Sequence, residues 1–296
     1  MVQQTNRRNS GGSNSSGGGT GGGARGGARG ARTPVPFKTV MRLRVRQPQF
    51  YWFLGHVMIL YHFIQFHLSI FSVTSQRFHY GRSLIYIIIT YGIVLYQFIR
   101  SKQLNWGNFI ISLKKLDNLQ YFTLYSMLYL LNIISGGKII LNGGIISPTI
   151  FAIFHVLNYF KENLLPYLTM IPQHNSLSSI IGQFIKRYNE KCLLVAQSWE
   201  IILMFRYLVM SVPMNLLSLL GSAIIFQRFQ LVSLGKLIMV VIYIRFIRWR
   251  YLANKQFATI FDEMIRRLEM LLTQFSNGQF LPIWNQIKNT VIKYMP

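Results

Sequence analysis

Residues 237–275 read LIMVVIYIRFIRWRYLANKQFATIFDEMIRRLEMLLTQF and pass through three patterns in turn. An uncharged apolar run comes first, a basic and aromatic segment around Arg248, Trp249 and Arg250 follows, and an amphipathic pattern ends the stretch. Trp and Tyr favour the headgroup level of a bilayer, and Arg can snorkel to it. The stretch therefore predicts a membrane segment that leaves the bilayer on its positive side and continues as a surface helix.

The amphipathic part repeats apolar residues at helical spacing, with Asp262, Glu263, Arg266, Arg267 and Glu269 on the other face. Such a helix either packs on the protein's own core or lies in the headgroup plane, and periodicity alone does not decide between them. A shorter repeat of the pattern follows at 280–294. The candidate membrane-binding residues are Phe257, Ile260, Phe261, Met264, Ile265, Leu268, Leu272, Phe275, Trp284 and Ile287, and Leu271 shares their periodicity.

The same stretch carries a family resemblance. An aromatic pair and an Arg-Phe-x-x-x-Arg-Tyr motif, here 245–251, precede a helix containing Phe261, Glu263 and Arg266. A second match is SPTIFAIFH at 147–155. These motifs resemble the transmembrane protein 33 family, which includes the Krüppel-homolog-2 proteins and, nearest in resemblance, the fungal pore-membrane proteins of 33 kDa. The resemblance spans residues 50–275.

The resemblance implies a protein of the endoplasmic reticulum membrane and nuclear envelope. It implies nucleoporins, a karyopherin and reticulon-type membrane proteins as partners beside the lipid bilayer, and a role in assembling or distributing nuclear pores. The basic C-terminal region resembles a karyopherin-binding and membrane-binding module. The candidate contacts for a partner or for anionic lipid are Arg245, Arg248, Arg250, Arg266, Arg267, Lys288 and Lys293.

The composition is that of a polytopic membrane protein. Of 296 residues, 51% are hydrophobic and 13% are charged, against about a quarter charged in soluble proteins. The formal net charge of +24 requires an acidic partner, such as anionic lipid, nucleic acid or an acidic protein. The single cysteine, Cys192, excludes an intrachain disulfide. We expect an all-α fold of about four to six membrane helices in hairpins, with cytosolic amphipathic helices.

Three regions follow from the changes in composition. Residues 1–48 are predicted to be a disordered Gly/Ser/Arg-rich cytosolic tail, 49–251 a helical transmembrane domain, and 252–296 a cytosolic, basic, amphipathic region. The Arg-Gly repeats at Arg25, Arg29 and Arg32 resemble short boxes that contact RNA weakly. The alternative for these repeats is a solvated basic tail.

Apolar runs predict the membrane helices at 50–73, 84–99, 119–134, 145–160 and 207–226, with Arg206 at the cytosolic rim. The sixth run, 237–247, is short: either the helix begins at Phe229 and buries Lys236, or it enters one leaflet and returns. Residues 106–116 and 176–198 are predicted surface helices. The sequence Asn142-Gly143-Gly144 predicts a turn.

Charge predicts the orientation. With six crossings and both termini in the cytosol, 26 of the 31 Lys and Arg residues fall on the cytosolic side, in agreement with the positive-inside rule.

The sequence favours a protein without catalytic activity or cofactor. Its seven carboxylates do not pair with histidines at helical spacing, and no nucleophile motif occurs. His56, His62 and His67 lie on one predicted helix but point in different directions, so they predict polar contacts inside a bundle rather than a metal site. The expected function is to organise nuclear pores and shape membrane. The alternatives are a general endoplasmic reticulum tubule or stress-related scaffold, and a small-solute channel or carrier.

Overall fold

The computed structural model describes residues 37–102, 107, 111–112, 115–168, 174–225 and 230–276, together with 279, 281–282, 284–286 and 289. The predicted tail lies outside these ranges up to residue 36, and only isolated positions of the predicted surface helix at 106–116 fall within them.

Over the described ranges the secondary structure is helical and contains no strand, which confirms the predicted all-α class. The α-helices are α1 (Phe37–Arg44), α2 (Pro48–Leu68), α3 (Val73–Arg100), α4 (Asp117–Ile134), α5 (Ile146–Tyr159), α6 (His174–Arg206), α7 (Val212–Ile225), α8 (Leu231–Ala253) and α9 (Lys255–Ser276). A π-helical turn, Phe160–Leu164, and a 3-10 turn, Leu165–Tyr167, follow α5, and a second π-helical turn, Tyr207–Ser211, joins α6 to α7.

Local sequence explains where several helices begin and end. Pro48 starts α2, where its missing N–H costs nothing because a first-turn N–H has no partner within the helix. Ser72 caps α3 by accepting a hydrogen bond from the Ser75 N–H at 3.3 Å. After α4, Gly136 and Gly137 both adopt positive φ angles, a backbone conformation that favours glycine.

Several predicted boundaries were wrong. Residues 37–44 form α1 rather than disordered tail, and α3 begins at Val73 rather than at residue 84. The predicted surface helix at 176–198 and the predicted span at 207–226 belong to one continuous helical segment, because no proline or glycine turn separates them. The sixth membrane run begins at Leu231, so α8 includes Lys236, which is half-buried.

Six helices form a closed ring. Going round the ring, α2 packs on α3, α3 on α4, α4 on α8, α8 on α6, α6 on α5, and α5 on α2 again. Helix α7 packs outside the ring on α8, and α9 packs on α8 and α6. Closing the ring buries one continuous core to which all six helices contribute.

A partly buried loop packs against the helices of the ring. Residues 138–145 connect α4 to α5, and their apolar side chains Ile139, Leu141 and Ile145 belong to the core. The predicted turn at 142–144 is confirmed; Asn142 is exposed, whereas Gly144 is buried. The buried part of the loop needs partners for its backbone N–H and C=O groups, since water cannot supply them.

Polar side chains of the surrounding helices provide those partners. The Tyr125 hydroxyl donates to the Gly144 carbonyl at 2.7 Å, and Trp199 Nε1 donates to the Gly143 carbonyl at 2.9 Å. Three further bonds are Asn132 Nδ2 to the Ile139 carbonyl, the Leu141 N–H to the Tyr80 oxygen, and the Asn142 N–H to the Tyr207 oxygen. The loop is therefore held by side chains of α3, α4, α6 and the turn after α6.

Arg206 is part of the same arrangement. Its Nη2 donates to the Asn142 carbonyl at 2.6 Å, and its guanidinium lies 4.9 Å from the ring centroid of Tyr207. Arg206 and Asn142 are both exposed, so the position of Arg206 at the cytosolic rim stays a prediction. The sequence did not show that Arg206 would donate to this loop.

The outer surface of the ring is strongly apolar. Exposed large side chains include Ile64 on α2, Ile133 on α4, Met214 on α7 and Val241 on α8. Two helical segments, Val73–Arg100 and Asn175–Ser222, are long and apolar enough to cross a membrane. At 1.5 Å per residue, the 48-residue second segment is about 72 Å long, more than twice the thickness of a hydrocarbon core, so part of it extends into water. The protein is an all-α membrane protein.

Replacing Gly143 by Ala tests the buried loop. Gly143 has a φ of +89°, and an added Cβ would lie 3.0 Å from Trp199 Cζ2. We expect Gly143→Ala to destabilise the detergent-solubilised protein by about 1–3 kcal/mol, measured by thermal unfolding. Gly182→Ala is the control, because its Cβ would meet open space in a helix, and it should be neutral or stabilising by up to about 1 kcal/mol. Equal melting temperatures for the two variants would contradict the described loop.

Candidate functional site

A buried arginine connects several helices of the ring. Arg250, in the last turn of α8, is only 2% exposed. Its Nη1 lies 2.6 Å from Asp117 Oδ2, and its Nε lies 3.7 Å from Glu200 Oε2. Asp117 is the first residue of α4, and Glu200 is a buried residue of α6. One guanidinium thus joins three helices of the ring.

Two aromatic rings enclose the same guanidinium. Arg250 Cζ lies 5.0 Å from the ring centroid of Tyr121 and 5.1 Å from that of Phe257. Cation–π contacts of this kind are strongest where water is excluded. Because Phe257 is a residue of α9, the guanidinium also connects the C-terminal helix to the bundle.

Hydrogen bonds hold the acidic partner Glu200 in place. The Tyr121 hydroxyl donates to Glu200 Oε1 at 2.6 Å, and the Tyr243 hydroxyl donates to the Glu200 carbonyl at 3.2 Å. Tyr121 also stacks on Tyr91 of α3, with ring centroids 5.3 Å apart. We call Arg250, Asp117, Glu200 and Tyr121 the arginine cluster. The stacking of Tyr121 on Tyr91 connects this cluster to α3.

The charges of the cluster keep Arg250 protonated. Burial by itself lowers the pKa of an arginine because it removes water from the charged form. Here the neighbouring Tyr121, Glu200 and Asp117 outweigh burial and raise the pKa of Arg250 above its ordinary value. Arg250 lies beyond the apolar run of α8 and acts as a permanent cation for two carboxylates.

The joint between α8 and α9 is one residue long. Asn254 Oδ1 accepts a hydrogen bond from the Phe257 N–H at 3.1 Å, and Asn254 Nδ2 donates to Asp117 Oδ2 at 3.4 Å. The first interaction is an N-cap of α9, which satisfies a backbone donor that the helix leaves unpaired. The second attaches that cap to the arginine cluster, so the direction in which α9 leaves the bundle is defined.

The first half of α9 packs on the bundle. Phe257 is 0% exposed, and Ile260, Phe261 and Met264 pack against the central core. Phe261 also lies 6.4 Å from Phe205 and 5.5 Å from Tyr251, measured between ring centroids. The prediction that Phe257 binds membrane is therefore wrong, because its ring occupies the protein core beside Arg250.

The second half of α9 extends the same apolar face beyond these contacts. Leu271 is 48% exposed, and Ile265, Leu268 and Leu272 are partly exposed. Trp284 Nε1 donates to Glu269 Oε1 at 3.0 Å. Of the other predicted membrane-binding residues, the side chain of Phe275 and all of Ile287 lie outside the described part of the chain. The core-packing interpretation is therefore confirmed for the first half of α9, and the headgroup-plane interpretation of the second half stays a prediction.

The predicted basic contacts divide in the same way. Arg245, Arg266 and Arg267 are exposed, and Arg248 is half-buried. Arg267 pairs with Glu263 one turn earlier on the same helix. The prediction that Arg250 contacts a partner or lipid is wrong, since its charge is taken by buried carboxylates. Lys288 and Lys293 lie outside the described residues.

Four histidines of the bundle form two pairs. His62 Nδ1 lies 2.9 Å from His79 Nδ1, and the His56 and His155 rings are 4.8 Å apart. In the described part of the chain, no group of three His, Cys, Asp or Glu side chains could hold a metal ion.

Sequence reasoning missed the arginine cluster. Asp117 and Glu200 are two of only seven acidic residues, and they lie 133 and 50 positions before Arg250. Acidic residues are scarce in this chain of net charge +24, and their scarcity is the signal by which the sequence could have pointed to the cluster. An acid that lies beside an apolar run in such a chain is a strong candidate for pairing with a buried cation.

The fold and this site define an all-α membrane protein in which a C-terminal amphipathic helix is attached to a ring of helices by a buried arginine. The chain belongs to the transmembrane protein 33 and nucleoporin POM33 family, because the profile described as "Transmembrane protein 33/Nucleoporin POM33" matches residues 34–296. This confirms the resemblance found in the sequence.

Three relatives extend the comparison. The "Pore and endoplasmic reticulum protein of 33 kDa" of Saccharomyces cerevisiae is 44% identical over 267 residues, covering 88% of this chain and 95% of the relative. "Nucleoporin POM33" of Chaetomium thermophilum is 26% identical, covering 83% and 85%. The "Pore membrane protein of 33 kDa" of Saccharomyces cerevisiae is 25% identical, covering 83% and 82%. No solved structure matches the chain significantly.

Removing the guanidinium tests the arginine cluster. Arg250→Leu leaves two carboxylates without their cation, and we expect it to destabilise the detergent-solubilised protein by about 3–5 kcal/mol, measured by thermal unfolding. Arg245→Leu is the control, because Arg245 lies on the same helix and is exposed, so its effect should stay within about 0.5 kcal/mol. Similar losses in both variants would show that the ion pairs with Asp117 and Glu200 do not stabilise the fold.

Proposed function

We propose that the chain is a non-enzymatic membrane protein of the endoplasmic reticulum and nuclear envelope that associates with nuclear pores and helps to organise them. The names of its relatives support this proposal, since all three refer to a pore or a nucleoporin and one also refers to the endoplasmic reticulum. The family match covers residues 34–296, so the comparison concerns nearly the whole chain.

The observation that carries the proposal is the attachment of α9. Its first half is fixed by Phe257 and Asn254, while the apolar face of its second half continues past the bundle through Leu268 and Leu271. A helix with this pattern can lie in the headgroup plane of a bilayer with its apolar side down. The bundle then determines where α9 touches the membrane and at what angle.

The energies suffice for binding at a bilayer surface. Each well-buried apolar side chain contributes about 1–2 kcal/mol before ordering costs. Each Lys or Arg near an anionic surface contributes about 1 kcal/mol. Since the bundle orders the first half of α9, the cost of positioning the second half is reduced. Insertion into one leaflet would favour curved membrane, such as the membrane around a pore.

The proposed topology is multi-pass with both termini in the cytosol. The excess of Lys and Arg in the segments assigned to the cytosol supports it. In this orientation the arginine cluster and α9 lie toward the cytosol. The exposed arginines Arg245, Arg266 and Arg267 are then free to meet acidic lipid, or a karyopherin, nucleoporin or reticulon-type partner.

A general role in shaping endoplasmic reticulum membrane is the second candidate. It is favoured by the relative whose name includes both the pore and the endoplasmic reticulum. A channel or carrier is disfavoured, because residues of the loop 138–145 occupy the inside of the ring and belong to its core.

The proposal is tested by imaging the full-length protein beside a nuclear-pore marker. We expect the double variant Leu268→Glu with Leu271→Glu to lose punctate nuclear-rim signal and to spread through the endoplasmic reticulum, because charges replace the apolar face that meets lipid. The variant should still enter membrane, since the bundle is unchanged. The measured quantity is the overlap of the protein with the pore marker.

The control is Thr259→Glu with Thr273→Glu, which adds the same charge on the exposed opposite side of α9. It should leave the rim signal unchanged. If the Leu268/Leu271 variant keeps its punctate signal, the proposed role of α9 is wrong. If the unaltered protein itself spreads evenly through tubules, the second candidate replaces the first.

A further inference from the structure

A cavity of about 140 Å³ lies beside the arginine cluster, among side chains of α3, α4, α5, α6 and α8 and of the joint before α9. One water molecule takes about 30 Å³ in the liquid, so the cavity has room for about four or five non-hydrogen atoms. Tyr91, Asp117, Tyr121, Gln197 and Arg250 line it. The cavity therefore lies at the same end of the ring as α9.

The wall contains a buried acceptor without a donor, whereas Arg250 Nε and Nη1 face carboxylates without forming hydrogen bonds of regular geometry. Gln197 is 1% exposed, and its Oε1 has no hydrogen-bond partner among the described residues. An unpaired acceptor at such depth costs free energy unless a ligand or water satisfies it. Asp117 uses Oδ2 for its contacts with both Arg250 and Asn254 in the described part of the chain. Gln197 Oε1 and Asp117 Oδ1 are thus acceptors for a ligand in the cavity.

The charge of the wall favours a cation over an anion. Among the lining residues that the structure describes, Arg250 is the one guanidinium or ammonium. Its charge is shared by Asp117 and Glu200, and its faces are covered by Tyr121 and Phe257. Asp117 and Glu200 give the arginine cluster two carboxyl groups for one guanidinium. The Tyr121 ring already contacts Arg250 and stacks on Tyr91, so Tyr91 supplies the aromatic surface that can attract a cation.

We propose that this cavity binds a primary ammonium group, the aminoethyl end of an aminophospholipid headgroup or a free small amine. The ammonium donates hydrogen bonds to Gln197 Oε1 and Asp117 Oδ1, and its methylene groups lie against Tyr91. A quaternary ammonium binds less tightly because it has no N–H to donate. The site depends on the geometry of the ring and not on the association with pores.

The test uses the purified full-length protein in detergent. Calorimetry measures binding of dihexanoyl-phosphatidylethanolamine, dihexanoyl-phosphatidylcholine, ethanolamine and inorganic phosphate, each added separately. We expect saturable binding of the ethanolamine lipid and at least about tenfold weaker binding of the choline lipid, the size of effect that a hydrogen bond to a charged group gives. Binding of the ethanolamine lipid alone assigns the site to a headgroup, whereas equal binding of free ethanolamine assigns it to a soluble amine.

Gln197→Leu is the diagnostic variant, because a leucine side chain is similar in volume to that of glutamine but has no hydrogen-bond acceptor. It should weaken binding of the ethanolamine lipid about tenfold or more. Its melting temperature without ligand should not fall below that of the unaltered protein, since Oε1 has no partner to lose. Gln183→Leu is the control, because Gln183 is an exposed residue of the same helix that bonds to Ser179 and does not line the cavity.

Several results would overturn the assignment. Equal binding of the ethanolamine and choline lipids would exclude recognition of a primary ammonium. Binding of phosphate in competition with the lipid would make the cavity an anion site. The absence of saturable binding by any amine, or unchanged binding by Gln197→Leu, would remove the proposed site itself.

Discussion

The ion pairs of Arg250 are the interaction on which the attachment of α9 to the ring depends. A guanidinium at the end of α8 is desolvated by two aromatic rings and is compensated by Asp117 and Glu200 from two other helices. Buried ion pairs repay the cost of desolvation only when the geometry is good and the remaining polar groups have partners. Here Tyr121, Tyr243 and Asn254 supply further hydrogen bonds to the acids and their backbone. Four ring helices and α9 are thereby held in one arrangement.

Two polar regions of the ring solve the same physical problem in different ways. In a membrane, backbone and charged groups need partners from the protein, because lipid offers none. In one region, side chains such as Tyr125 and Trp199 satisfy the backbone of the loop 138–145. In the other region, carboxylates satisfy a charge. Polar side chains inside this bundle therefore hold irregular backbone and a charge, while its apolar side chains face outward and fill the core.

The sequence predicted the class of fold and the amphipathic helix well, because hydrophobic runs and the helical period are local signals. It predicted the role of Arg250 wrongly, because its partners Asp117 and Glu200 are distant in sequence and meet it only after the ring has closed. Phe257 was misassigned for a related reason. Local sequence shows that Phe257 lies on the apolar face of α9, but it does not show that this ring packs beside Arg250 at the end of α8. Arg206 shows the same limit, since the Asn142 carbonyl that it binds is also distant in sequence.

Under the proposed function, these contacts orient α9 as a membrane-surface helix. An amphipathic helix on a flexible linker can meet lipid at any angle, but α9 begins one residue after α8 and is capped by Asn254. Because the direction of α9 is fixed, the fold determines how deeply α9 inserts and which of its sides meets lipid. Such control would suit a membrane protein that has to recognise the shape of its bilayer.

The most direct measurement is the membrane depth of α9 in the full-length protein, reconstituted in anionic bilayers and spin-labelled at single cysteines in a Cys192→Ser background. Labels at Leu268→Cys and Leu271→Cys should collide more with oxygen, which concentrates in lipid, than with a water-soluble nickel chelate. Labels at Thr259→Cys and Thr273→Cys should show the reverse. If all four labels were equally accessible to the chelate, α9 would not lie on the membrane, and the central claim would be wrong.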